Sequence, residues 1–147
     1  MRRALPTLLA AVTLTIAGCG SSSLPDRDLR AAATAMCKHA TSRLNGLAQP
    51  SSPNAALPFL RRGVAVLGPE LSALRRLAPS SGLSSRYAST LAQLATAVGR
   101  VRATVALLQR GGDPVGAFGA LEQQLSPILA SENAGWIALQ IPACVNR

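Results

Sequence analysis

The sequence predicts an all-α protein in which four helices form an antiparallel up-down bundle. In each of four segments, apolar residues recur at steps of three and four, which is the spacing of one helix face. No segment alternates apolar and polar residues between turn signals, so no strands are predicted. Phe, Tyr and Trp make up only 3% of the 147 residues, and a core of Leu, Val, Ile and Ala suits packed helices.

The first helix is predicted to begin after Pro25, with Asp26 or Asp28 as the side chain that caps its start. Its apolar face consists of Leu29, Ala33, Met36 or Cys37, Ala40, Leu44 and Leu47. The polar stretch from 49 to 54 contains two prolines, which end the helix and favour a loop.

The second and third helices have the most regular patterns. The second contains Leu57, Leu60, Val64, Leu67, Leu71, Leu74 and Ala78, and the third contains Tyr87, Leu91, Leu94, Val98, Val101, Val105 and Leu108. Gly68-Pro69 interrupts the second pattern, but the phase continues across it, so we predict one kinked helix. Ser84 or Ser85 is expected to cap the third helix, and Gly111-Gly112 is expected to end it.

The fourth helix is predicted to start at Asp113-Pro114, where Asp caps the helix and Pro fits its first position. Its apolar face contains Phe118, Leu121, Leu125, Ile128, Leu129, Trp136 and Leu139. Glu132 interrupts this face. A carboxylate there could pair with Arg30, Lys38 or His39 of the first helix, or face a ligand cavity. We expect instead that Glu132 is exposed, because the helix loosens near its end.

Ahead of the helices lies a pattern typical of an export signal. Arg2 and Arg3 precede an uncharged, mostly apolar run from 5 to 17, which is too short for a comfortable membrane span. The sequence Ile16-Ala17-Gly18-Cys19 resembles the bacterial lipobox, in which an aliphatic residue and two small residues precede a lipidated Cys. The alternative is an ordinary secretory signal with a chance Cys near its cleavage site.

The lipobox resemblance implies a division of the chain into three parts. Residues 1–18 would form the signal peptide, 19–24 would hold the lipidated Cys19 and a flexible tether, and 25–147 would form the helical bundle domain. The mature protein would then be extracytoplasmic and anchored to the cell membrane by lipid. Several acyl chains on one Cys anchor stably, since each buried methylene contributes about 0.8 kcal/mol.

Two cysteines, Cys37 and Cys144, remain once Cys19 is lipidated. An even number of cysteines in an exported domain favours a disulfide, and the up-down topology returns the tail after Pro142 to the first helix. The alternative is two free buried thiols. The overall pattern, with one Cys in the first helix and one in the last residues, resembles small uncharacterised helical lipoproteins and secreted proteins of actinobacteria. That resemblance implies a fold and no activity.

The basic residues are regularly spaced along the second and third helices. Arg61-Arg62 and Arg75-Arg76 are fourteen residues apart, as are Arg86 and Arg100, so each set falls on one helix face. Without the two leader arginines, 15 basic residues become 13 against six acids, a net charge of +7. One interpretation is that this basic face is attracted to anionic lipid or to an envelope polymer. The alternative is a plain solvated face. Nucleic acid is not expected as a partner despite the basic charge, because the predicted compartment is wrong and no reading motif is present.

No catalytic, metal or cofactor pattern is found. His39 is the single histidine, whereas a zinc site needs three or four ligands, so we expect a helix-surface or half-buried residue. Glu122 and Glu132 lack the Glu-x-x-His partner of a di-iron site, and the serines lack a poised His and acid. The sequence thus predicts a non-enzymatic, membrane-anchored helical domain that binds a partner or stabilises the envelope. The alternative is a carrier of a small apolar ligand in a cavity within the bundle.

Overall fold

The structure is a computed structural model that describes residues 23–146. It contains α1 (Asp26–Asn45), α2 (Ala56–Leu74), α3 (Ser81–Gln109) and α4 (Pro114–Ala138), with 3-10 helices at Pro53–Ala55 and Pro142–Cys144. No strand occurs between residues 23 and 146, and the prediction of an all-α helical bundle is confirmed. The predicted signal peptide and Cys19 lie outside the described residues.

Consecutive helices pack against one another. The most extensive interface joins α3 to α4, followed by α2 with α3 and α1 with α2. The 3-10 helix Pro142–Cys144 lies against both α1 and α4. The C-terminal tail, residues 139–146, therefore connects the first helix to the last.

The up-down order gives the bundle two distinct ends. At the first end, which we call the tether end, the backbone N–H of Leu24 donates to the carbonyl of Ala78 at 2.7 Å. There the Ser80 hydroxyl also donates to the Asp26 carboxylate at 2.6 Å. At the second, which we call the far end, lie the connections over 46–55 and 110–113. Because α3 has 29 residues, the two ends are roughly 40 Å apart at about 1.5 Å per residue.

The apolar faces form two clusters. The larger lies toward the tether end and contains Leu29, Ala33, Cys37, Leu71, Leu74, Tyr87, Leu91, Leu94, Val98, Trp136, Leu139, Ile141 and Cys144. The smaller lies toward the far end and contains Ala56, Leu60, Leu108, Ala117 and Leu121. Members of all four predicted apolar faces are therefore buried, which confirms that the three-four spacing marks the core.

Several helix boundaries differ from the predictions. Asp26 does not cap α1, since Pro25 occupies the N-cap position without a side-chain bond and Asp26 accepts from Ser80 instead. In α3 the N-cap position is Ser80, which comes before the predicted Ser84 and Ser85. Pro69 lies inside a continuous α2, as predicted, but that helix ends at Leu74.

One helix among residues 23–146 is long and apolar enough to cross a membrane by length and composition, namely α3. Its apolar residues Tyr87, Leu91, Leu94 and Val98 are all buried in the larger cluster. Packing of this face in the bundle core accounts for part of the hydropathy of α3, since 28% of its apolar 18-residue stretch is buried.

Candidate functional site

The start of α4 presents apolar side chains at the far end. The Asp113 carboxylate accepts hydrogen bonds from the backbone N–H groups of Val115 and Gly116, at 3.3 and 2.8 Å, as the sequence predicted for an N-cap. Val115, Phe118 and Glu122 then share one helix face. Val115 is 65% exposed and Phe118 is half-buried, so the first two turns carry an apolar edge.

Opposite this edge runs the connection from α1 to α2. The Ala55 N–H donates to the Ser52 carbonyl at 3.0 Å, which turns the chain into α2. Between the two walls is a groove of about 480 Å³, which we call the far-end groove. It is lined by Pro50, Ser51, Ser52, Ala56, Pro114, Val115, Phe118, Gly119 and Glu122. Most of these residues are at least partly exposed, so the groove is open to solvent.

Exposed acidic side chains are concentrated beside the far-end groove. Glu70 and Glu132 are buried and Asp26 is half-buried, whereas Asp28, Asp113 and Glu122 are exposed. Glu122 lines the groove and Asp113 precedes the lining residue Pro114. In a chain with a formal net charge of +9, two of the three exposed carboxylates thus flank one apolar groove, which suits an occupant carrying a cation.

The expectation that Glu132 is exposed is wrong. Its side chain is 3% exposed, and its carboxylate accepts a hydrogen bond from the Trp136 indole N–H at 2.8 Å. Trp136 in turn packs edge-on against Tyr87, with ring centroids 6.1 Å apart. Burial is tolerated here because the hydrogen bond offsets part of the desolvation cost of the carboxylate.

The predicted disulfide is present. Cys37 and Cys144 are bonded with Cα atoms 5.1 Å apart. The chain reaches Cys37 because α4 ends in a reversal: Gln140 has φ 61°, and the Ile141 N–H donates to the Trp136 carbonyl at 3.0 Å. The bond thus joins α1 to the tail that follows the reversal.

The predicted basic residues are distributed over the molecule. All six are exposed, namely Arg61, Arg62, Arg75, Arg76, Arg86 and Arg100. Arg61 and Arg62 lie within α2, whereas Arg75 and Arg76 follow its last residue, Leu74. Arg75 borders a cleft against Tyr87 of α3, whereas Arg76 borders a different cleft with the exposed His39 of α1. Arg61 and Arg62 lie toward the far end.

Within residues 23–146, no group of three or more His, Cys, Asp or Glu side chains is arranged to hold a metal ion. Comparisons with protein-family models, curated proteins and solved structures give no significant match to this chain.

Sequence reasoning missed the far-end groove. Val115 sits just ahead of the predicted apolar face of α4, and a lone apolar residue in a first helical turn is common on protein surfaces. Only the approach of the 50–52 segment to α4 turns this residue into the wall of a groove, and no local pattern encodes that approach.

Proposed function

We propose that this protein is a membrane-tethered, extracytoplasmic, non-enzymatic helical domain that binds a protein partner in its far-end groove. The observation that carries the proposal is the position of the groove. It opens at the end of the bundle opposite residues 23–25, through which the chain would be connected to a lipidated Cys19. A domain of this shape would hold the groove roughly 40 Å from its anchored end, given the length of α3.

Two features support the proposed location. A disulfide persists in oxidising compartments outside the cytoplasm, and the Cys37–Cys144 bond joins two buried parts of the domain. Independently, the residues before Cys19 resemble a lipobox. Both features are consistent with a lipid-anchored protein outside the cytoplasm.

The exposed arginines at the tether end are consistent with a domain that is anchored to the membrane at this end. Arg75, Arg76 and Arg86 are exposed and lie in or near the turn that joins α2 to α3, beside the start of α1. In a domain held by Cys19, these cations would face the membrane. Each would contribute about 1 kcal/mol of attraction near an anionic lipid surface.

The groove favours a peptide segment with an apolar side chain next to Lys or Arg. Phe118 and Val115 supply apolar contact area, while Glu122 and Asp113 supply negative charge beside it. A rim charge of this kind chiefly guides association and selects the partner. The carrier hypothesis required an enclosed apolar cavity of several hundred Å³, whereas the cavity bordered by the buried Glu132 measures about 150 Å³.

The proposal is tested by site-specific photo-crosslinking in intact cells. A photo-reactive residue replaces Val115 in one variant and Ile137 in another. Ile137 is the matched control, because it lies on the same helix and is 62% exposed against 65% for Val115. We expect a partner crosslink at 115 and little at 137. Mapped partner peptides should place an apolar residue beside Lys or Arg.

A charge-reversal variant provides the second part of the crosslinking test. Glu122→Lys should lower the crosslink yield at 115 several-fold, whereas Gln124→Lys, at an exposed position outside the groove, should not. Circular dichroism checks that both variants keep their helix content. Equal yields at 115 and 137, or a yield that Glu122→Lys leaves unchanged, would contradict the proposal.

A further inference from the structure

A second concave site lies between α2, α3 and α4, away from the far-end groove. It is a cavity of about 150 Å³, similar in volume to an engineered cavity known to accept one benzene molecule. Leu67, Leu94 and Ala97 supply its apolar lining. Leu94 and Ala97 are buried, so they form the floor.

Polar groups from α4 and the tail border the same cavity. Glu132 lines it and is 3% exposed, and one oxygen of its carboxylate accepts from the Trp136 indole N–H. Asn133 is half-buried and Asn146 is exposed, which places them at the mouth. The lining thus changes from apolar and buried to polar and accessible.

The two asparagines form an ordered rim. Asn133 Nδ2 donates to Asn146 Oδ1 at 2.8 Å, and the Asn146 backbone N–H donates to Asn133 Oδ1 at 3.1 Å. Each carbonyl oxygen has two lone pairs, so both can accept one further hydrogen bond. The pair also fastens the tail to α4 just beyond the Cys37–Cys144 bond, which keeps Asn146 in place.

We propose that this cavity binds a short primary alkylammonium ion. The alkyl chain would contact Leu67, Leu94 and Ala97. An ammonium group has three donors and no acceptor, which suits a cavity whose lining residues include one carboxylic and two amide side chains. The attraction between the ammonium and Glu132 is strengthened because a partly buried site has a lower effective dielectric than water.

Charge and size both determine this ligand class. A carboxylic acid of the same length would bring a second negative charge toward Glu132. A neutral alcohol fits the volume but lacks the charge. The cavity volume of about 150 Å³ favours a short alkyl chain. The site shares no residue with the far-end groove, so it can fail without affecting the proposed partner binding.

The test is a binding titration on the full-length oxidised protein in detergent, with n-butylammonium, 1-butanol and butyrate as probes. The readout is the NMR signal of the Trp136 indole, which comes from the single Trp in the chain and donates to Glu132. We expect saturable shifts with n-butylammonium at least about tenfold tighter than with 1-butanol. Butyrate should produce none.

Variants distinguish ligand binding in this cavity from binding elsewhere on the protein. Glu132→Gln should weaken n-butylammonium binding about tenfold or more and leave 1-butanol unchanged, while Asp28→Asn, at an exposed carboxylate that lines neither this cavity nor the far-end groove, should change neither. Asn146→Ala, at the exposed mouth, should weaken n-butylammonium several-fold and serves as the test if Glu132→Gln does not fold. Equal affinity for n-butylammonium and 1-butanol, no saturable shift, or variants that bind as the wild type does would overturn the proposal.

Discussion

At the scale of single residues, the contact between Glu132 and Trp136 departs most from what the sequence predicts. The three-four spacing places Glu132 on the buried face of α4, whereas its charge predicts exposure. The structure resolves the conflict in favour of burial, because a carboxylate four residues before Trp reaches the indole N–H along the helix face. A carboxylate on an apolar face with Trp at i+4 is therefore a signal that sequence analysis can use.

Tyr87 gives a residue-scale prediction in pH. Its hydroxyl donates to the Leu74 carbonyl at 2.8 Å, and burial raises its pKa from 10.0 to about 12. Because the pKa of Tyr87 is higher in the folded chain than in the unfolded chain, the stability that depends on the neutral, buried tyrosine is fully present below pH 10. It is lost as the pH rises from 10 toward 12.

The measurement is ultraviolet titration, since Tyr87 is the only tyrosine in the chain. Phenolate absorbance should appear near pH 12 in the folded protein and near pH 10 in denaturant. The Tyr87→Phe variant should lack both the absorbance transition and the extra loss of stability. Titration of the folded protein near 10 would show that the ring is in contact with water.

At the scale of elements, chain reversals separate what sequence predicts from what it does not. The end of α3 follows the expected glycine rule: Gly111 has φ 84° and the Gly112 N–H donates to the Leu107 carbonyl at 3.1 Å. The end of α4 makes the same type of turn with Gln140 at φ 61°. No glycine marks that position, so the reversal that carries Cys144 to α1 could be inferred only from the cysteine count.

The α3–α4 interface gives an element-scale prediction through two glycines of α4. A Cβ at Gly135 would collide with the Thr90 side chain, whereas a Cβ at Gly119 meets nothing within 4 Å. Gly135→Ala should lower the free energy of unfolding by about 1–2 kcal/mol, because overpacking outweighs the gain in helix propensity. Gly119→Ala should raise it by up to about 1 kcal/mol.

Urea denaturation of both variants checks this difference in sign. The comparison controls for helix propensity, because the substitution and the helix are the same. If both variants were stabilised equally, α3 and α4 would not approach closely at Gly135, and the packing described for this interface would be wrong.

At the scale of the whole molecule, the bundle and its disulfide were predictable from the sequence, whereas the far-end groove and the small cavity were not. Apolar spacing specifies which face of each helix is buried, and the residues that it selected, such as Leu94 and Leu121, are in the core. The far-end groove and the small cavity arise where segments distant in sequence come together: Ser52 and Phe118 both line the groove, and Leu94 and Asn146 both line the cavity. Local sequence patterns contain no information on which distant segments come together.

The disulfide gives a prediction for the whole fold. It joins residues 107 apart in the chain, and a loop of roughly this length is worth up to about 4.7 kcal/mol in the chain-entropy model. Replacing Cys37 and Cys144 together with Ala should lower the Tm substantially while the circular dichroism spectrum stays helical, because both apolar clusters remain. Loss of helix content in the double variant would mean that the bond is required for folding.

The most direct test of the account is a mass measurement on the protein extracted from bacterial membranes. Trypsin should release an N-terminal peptide that runs from Cys19 to Arg27, and we predict that this peptide begins at Cys19 and carries a diacylglyceryl group on the thiol. The Cys19→Ala variant, as the control, should give no acylated peptide and should not be anchored. An unmodified Cys19, found within a peptide that extends before it or at an unacylated N-terminus, would contradict the proposal that this domain is tethered to the membrane by lipid.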